Sequence, residues 1–240
     1  MTAPPAAIVT DIEGTTSPIS FVHDVLFPYA RARLPAFLAE RGAEPEVAAA
    51  LAEVQALAPG QAPRDALLGW MDADAKITPL KSLQGLIWAE GFASGALHGE
   101  LYPDVAPALR RWRAAGVRLY VYSSGSVSAQ KLLFGHTPDG DLTGLFSGFF
   151  DTRVGAKREA ASYAAIAQAL QLPASEILFL SDVAAELDAA AEAGLRVCQL
   201  VRPQDGTEAA GHHVAADFDA VSDALGLVSR AISSRKSGSF

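Results

Sequence analysis

Two carboxylates stand two positions apart in "IVTDIEGTTSP", residues 8–18: Asp11 and Glu13, at the end of an apolar run. The apolar run "VRLYVYSS" delivers Ser123 and Ser124 in the same way, and "ILFLSD" delivers Ser181 and Asp182. If these runs are neighbouring strands, Asp11, Ser123, Ser124 and Asp182 reach one level and face each other across a crevice. Buried like charges repel, and a divalent cation is the simplest compensation. Asp11 and Asp182 are hard oxygen ligands and few in number. That suits magnesium, which keeps several waters and takes the rest of its shell from a substrate phosphate. Taken singly, these residues have ordinary structural explanations: an Asx turn for Asp11 and Glu13, an ST turn for "YSSGS", a helix N-cap for "SD". Lys157 in "VGAKREAASY" reads as the opening of a helix, where a cation opposes the dipole and so asks for a reason.

The elements that must position these side chains are legible as patterns. Four runs, 7–11, 117–124, 177–182 and 195–201, are apolar throughout rather than alternating, as strands of a parallel sheet covered on both faces are. Amphipathic, alanine-rich helices are expected between them at 104–116, 157–172 and 184–194. This alternation predicts an α/β fold with a doubly wound parallel sheet, Rossmann-like. One gap breaks the rhythm. Between the first strand and Val117, residues 20–98 read almost wholly as helix, with a Pro/Gly-rich break at 58–64. The expected organisation is a core of residues 1–19 and 99–232, an all-helical cap inserted after the first strand over 20–98, and a disordered tail over 233–240. An insertion at that place stands over the carboxyl ends of the strands, where open α/β sheets bind ligands.

The joint pattern resembles the haloacid dehalogenase superfamily of phosphohydrolases over nearly the full chain. The resemblance implies a nucleophile at Asp11, an acid/base at Glu13, a phosphate-binding hydroxyl at Ser123, a phosphate-binding lysine at Lys157 and a metal carboxylate at Asp182. Position 13 is Glu where the superfamily pattern has Asp. "DIEGTTSPISFVHDVLFPYA", "KITPLKSLQGLIW", "YSSGSVSAQKLLFGHT", "FFDTRVGAKREAASY" and "ILFLSDVAAELDAAAEAG" narrow the match. They are similar to the enolase-phosphatases of methionine salvage, also called acireductone synthases. That family implies a magnesium-dependent, monomeric, bifunctional enzyme. It enolises 2,3-diketo-5-methylthiopentyl-1-phosphate and then removes the phosphate to give the acireductone. Ser124 resembles a family substrate contact, and the metal set implied is Asp11, Glu13 and Asp182. Ile19 and Phe21 are expected as a wall for the methylthio group. The base that enolises, and the parts played by Lys81 and His23, stay open.

Composition bounds the partners. The net charge of −8 disfavours nucleic acid, whose phosphates want clustered cations. No apolar run reaches the roughly 18 residues of a membrane span, and the first residues do not read as a signal peptide. The lone cysteine, Cys198, reads as core filler in a reducing cytoplasm. The rival readings are a sugar- or glycolate-phosphate phosphatase on the same scaffold, a dehalogenase, and an inactive binding module. Glu13 argues against the dehalogenase, which has no use for an acid two residues after its nucleophile.

Overall fold

The computed structural model describes residues 4–227. Six strands form one all-parallel sheet: β1 Ala7–Thr10, β2 Arg118–Tyr122, β3 Gly148–Phe150, β4 Ile177–Ser181, β5 Arg196–Leu200 and β6 Val214–Ala215. Their order is β3-β2-β1-β4-β5-β6, the doubly wound arrangement. β1 is central: Thr10 is in register with Val121 on one side and Leu180 on the other. The strand order reverses between β1 and β4, so the ligand crevice of such a sheet opens between Asp11 and Asp182.

The helices are α1 Phe27–Arg41, α2 Pro45–Leu57, α3 Pro63–Asp72, α4 Thr78–Ala93, α5 Val105–Ala114, α6 Val127–Gly135, α7 Ala160–Leu170, α8 Ala184–Glu192 and α9 Phe218–Leu225. Alternate strand residues serve opposite faces, as strand geometry requires. Ile8, Leu178 and Leu180 pack with Trp112 of α5, Phe134 of α6 and Phe218 of α9. Ala7, Val9, Ile177 and Phe179 pack with Tyr163 and Ile166 of α7 and Leu187 of α8. Burial on both faces explains the unbroken apolar runs. Cys198 is buried in the first of these clusters.

Between β1 and β2 the chain is helical, as its periodicity predicts. A π-helical turn, Phe21–Leu26, leads into α1, and α1 to α4 enclose their own apolar cluster around Leu34, Phe37, Val54, Leu67 and Leu83. α4 packs on α6, which brings the insertion to the carboxyl edge of the sheet.

Two expectations change. The helix predicted to open at Lys157 starts at Ala160, and Lys157 lies in the turn before it. The dipole objection to a lysine at a helix start therefore loses its force. Phe21 is 2% exposed and packs in the core cluster with Ile12 and Tyr102, so it offers no open wall. Residues 1–3 and 228–232 of the expected core and the tail over 233–240 lie outside the described residues.

Candidate active site

The loop after β1 winds back on itself. The Thr15, Thr16 and Ser17 amides all donate to the Ile12 carbonyl at 2.8–3.2 Å, and the Thr16 hydroxyl reaches the carbonyls of Asp11 and Ile12, each at 3.2 Å. This fixes Asp11, which is buried. Gly14 has φ +67°, and a Cβ there would stand 2.4 Å from Asp182 Oδ2. Only glycine lets the two loops approach so closely. The Asp182 amide donates to the Thr15 hydroxyl at 3.1 Å and tightens the same junction.

Lys157 projects from its turn into this junction. Its Nζ lies 2.6 Å from Asp11 Oδ1 and 2.6 Å from Glu186 Oε2, with the three side chains 7–10% exposed. The turn is held from α7: Tyr163 donates its hydroxyl to the Lys157 carbonyl at 2.6 Å and Ser162 to the Ala156 carbonyl at 2.8 Å. At Gly155, φ +142°, a Cβ would stand 2.1 Å from Ser162 Oγ, so this turn too requires glycine.

Burial alone would lower the Lys157 ammonium, but Asp11 and then Glu186 outweigh it and hold the lysine charged. Glu186 is pushed above the ordinary carboxylate range, first by burial and then by Asp11, although it pairs with the lysine. Its Oε2 also accepts the Ser181 hydroxyl at 3.0 Å. Glu186 escaped the sequence reading because it sits among alanines in "DVAAELDAAAEAG". The signal was its place four residues after Asp182, in the first turn of α8.

The remaining carboxylates are crowded. Asp182 is pushed up to about 6 by burial and by Asp11. Glu13 is raised by the same two causes in the same order. Asp182 Oδ1 is buried with no hydrogen-bond partner. A buried carboxylate oxygen without a donor is costly, and a hard cation supplies what is missing. Among the described residues no three His, Cys, Asp or Glu side chains are gathered into a ready cage. The oxygens present suit a cation that completes its shell from water and phosphate rather than from protein alone.

On the other side of Asp11, Ser123 is buried after β2, and its Oγ accepts the Gly125 amide at 3.2 Å. With that lone pair engaged, its hydroxyl proton is available to an anion. Gln130 donates to the carbonyls of Gly125 and Phe150, each at 2.8 Å, and pins the turn. Ser124 is exposed, and its carbonyl lies 3.5 Å from Lys81 Nζ, which reaches down from α4. His23 is exposed, sits edge-on to Phe27, and adds a weak positive field at Glu13. The structure thus gathers Asp11, Ser123, Lys157 and Asp182, sets Glu13 beside them, and leaves Ser124 at the rim.

The chain as a whole is similar to known proteins. Residues 5–194 match the model of a hydrolase family described as haloacid dehalogenase-like. Over 226 residues the chain is 63% identical to "Enolase-phosphatase E1" of Acidiphilium cryptum (strain JF-5), covering 94% of this chain and 97% of that protein. It is 61% identical over 222 residues to the protein of the same name from Gluconacetobacter diazotrophicus, covering 92% and 94%. Among solved structures, the UTR4 protein of Saccharomyces cerevisiae superposes with a TM-score of 0.78 at 34% identity, over 90% of this chain and 99% of that one. Among the described residues no helix is long and apolar enough to cross a membrane.

Proposed function

The chain belongs to the enolase-phosphatases, within the haloacid dehalogenase-like hydrolases, and from that premise we propose how its own residues act on 2,3-diketo-5-methylthiopentyl-1-phosphate. The enzyme enolises this diketone and then removes its phosphate to give the acireductone. Residues 20–98 serve as a cap over a catalytic core formed by the described residues on either side of them. The monomer that the family resemblance implies is kept as part of this reading.

The observation that carries the reading is a division of labour between two neighbouring carboxylates. Asp11 is ion-paired to Lys157, and Glu13, two residues on, is pushed toward its neutral form. Groups whose environments differ in this way take nucleophile and acid/base roles. Asp11 attacks phosphorus and forms an aspartyl-phosphate, splitting one slow displacement into two easier ones. Glu13 protonates the departing enol oxygen, then takes a proton from the water that hydrolyses the intermediate. Lys157 moves from pairing with Asp11 to binding a phosphate oxygen, with Glu186 keeping its hold on the same Nζ. Ser123 donates its hydroxyl to another oxygen, and Ser124 contacts the substrate at the rim.

Magnesium fits the residues present: Asp11 and Asp182 would hold it, and Glu13 would complete the set through its side chain or its backbone carbonyl. When bound it neutralises charge on the phosphate and acidifies the carbon next to the diketone. Lys81 stands over Ser124 as a counter-charge toward the cap, and closure of the cap excludes water from the enolate.

The test is a stopped-flow ultraviolet trace of the purified protein with the diketo phosphate and magnesium, run beside a phosphate-release assay. Sequential enol and acireductone signals, with phosphate released in the second phase, are expected. Phosphate release from simple monoesters with no enol signal from the diketone would move the protein to the sugar- or glycolate-phosphate phosphatases.

A further inference from the structure

The loop after β5 carries a buried guanidinium that the mechanism above leaves unused. Arg202 is 2% exposed. Its Nη1 and Nη2 each donate to one oxygen of Asp104 at 2.9 Å, fork to fork. Nη2 also donates to the backbone carbonyl of Thr15 at 2.8 Å. The guanidinium carbon lies 4.1 Å from the centroid of the Tyr102 ring and 5.5 Å from that of Phe218. Asp104 in turn accepts the Phe218 amide at 2.8 Å, so the arginine's partner is anchored at the start of α9.

Stability is a poor reason to keep such a group. A buried ion pair often does no better than apolar side chains of the same volume. Its third contact is more informative. Thr15 faces two ways: its hydroxyl accepts the Asp182 amide, and its carbonyl accepts Arg202. It is therefore the hinge pin between the loop that carries Asp11 and the loop that carries Asp182. The next residue is tied down as well, since the Tyr102 amide donates to the Thr16 carbonyl at 3.1 Å. Lysine would not replace the arginine, because a point charge cannot span both oxygens of a carboxylate and a carbonyl at once.

We propose that Arg202 is a positioning residue for phosphoryl transfer: by holding the Thr15 carbonyl it sets the separation and orientation of Asp11 and Asp182. The inference rests on the phosphatase reading of the site. It predicts that loss of the guanidinium slows the chemical step more than it weakens substrate binding.

The test uses the full chain as Arg202→Lys, and as the double variant Asp104→Asn, Arg202→Gln, which leaves no unpaired buried carboxylate. Turnover of p-nitrophenyl phosphate and of the diketo phosphate is measured well below the thermal midpoint of each variant. Amide hydrogen exchange at Thr15 and Asp182 is followed without substrate or metal. Both variants are expected to lose about 10–100-fold in kcat, as a small misplacement of reacting groups does. KM should stay within about threefold, the sign of an interaction made mainly in the transition state. The Asp182 amide should exchange faster while the amides of β2 keep their protection. Wild-type kcat in either folded variant, a change confined to KM, or unchanged exchange at Asp182 would overturn the proposal. If the unmodified protein turned over neither ester, the phosphatase reading would fall. The exchange measurement would still decide whether Arg202 sets the junction.

Discussion

Arg33 in the helical insertion and Lys157 at the strand ends make the same contact on paper. Arg33 bridges Glu40 and Glu90, each at 2.6 Å, and Lys157 bridges Asp11 and Glu186, each at 2.6 Å. Their surroundings differ. The side chains around Arg33 are 26–56% exposed, and those around Lys157 are 7–10% exposed. The effect on the acids is opposite. Arg33 holds Glu40 below the ordinary carboxylate range, whereas Glu186 is raised because burial, and then Asp11, outweigh the lysine. On the insertion, water reaches both members of each pair and the pairs tidy a surface. At the strand ends, each charge depends on the others, and a phosphate or a cation entering the crevice can redistribute them.

The comparison breaks hardest at Asp11, the proposed nucleophile. Asp11→Asn should lower phosphate release by at least about 10³-fold while far-ultraviolet circular dichroism stays native, as loss of a nucleophile does elsewhere. Retention of more than about 1% of the rate would remove Asp11 from its role. Lys157→Ala comes next, with a fall of about 10²–10³ in kcat/KM, the cost of removing a preorganised charge from a site where charge develops. Unchanged kcat and KM would show that the lysine only fills space.

A smaller effect concerns protons. The raised value of Asp182, about 6 against 3.8 when unfolded, means that the folded chain holds this proton more tightly than the unfolded chain does. That contribution to stability is fully present below about pH 4 and is lost as pH rises through 6. Without magnesium, Asp182→Asn should therefore raise the thermal midpoint at pH 8 by about 2–4 °C, the shift that roughly 1 kcal/mol brings in a chain of this length. A lowered midpoint would contradict the crowding. Added magnesium should erase the gain, since the asparagine binds the ion less well. The smallest effect belongs to the insertion surface. Arg31 pairs with Asp72 at 2.5 Å with half-exposed side chains, and Arg31→Ala should cost less than about 1 kcal/mol in urea unfolding and leave kcat unchanged.

The residues that could be read from the sequence are those that end apolar runs. Asp11, Ser123 and Asp182 follow strands buried on both faces, and such strands are conspicuous. Lys157 was found by resemblance, but its local structure was misjudged. Nothing in "GAKREAAS" shows that Ser162 and Tyr163 hold the turn open until Ala160. β3 and β6 were missed because they are edge strands of three and two residues, whose pairing comes from their neighbours rather than from their own propensity. Arg202 was invisible for a further reason. "RPQDGT" reads as a loop, and its partner Asp104 lies on the far side of the chain.

The central place of β1 has a consequence for how the protein is made. The strand that ends at Asp11, the proposed nucleophile, leaves the ribosome before both of its neighbours, residues 118–122 and 177–181. At about 5–20 residues per second, the second of them follows on the order of ten seconds or more later. Until then β1 keeps at least one open edge, and the loop that carries Asp182 has not joined the site. The insertion, whose contacts are local along the chain, is the part able to fold meanwhile, because short-range contacts form fastest. The insertion thus has the means to be finished before the sheet beside it is complete, and the site is assembled in one late, cooperative step.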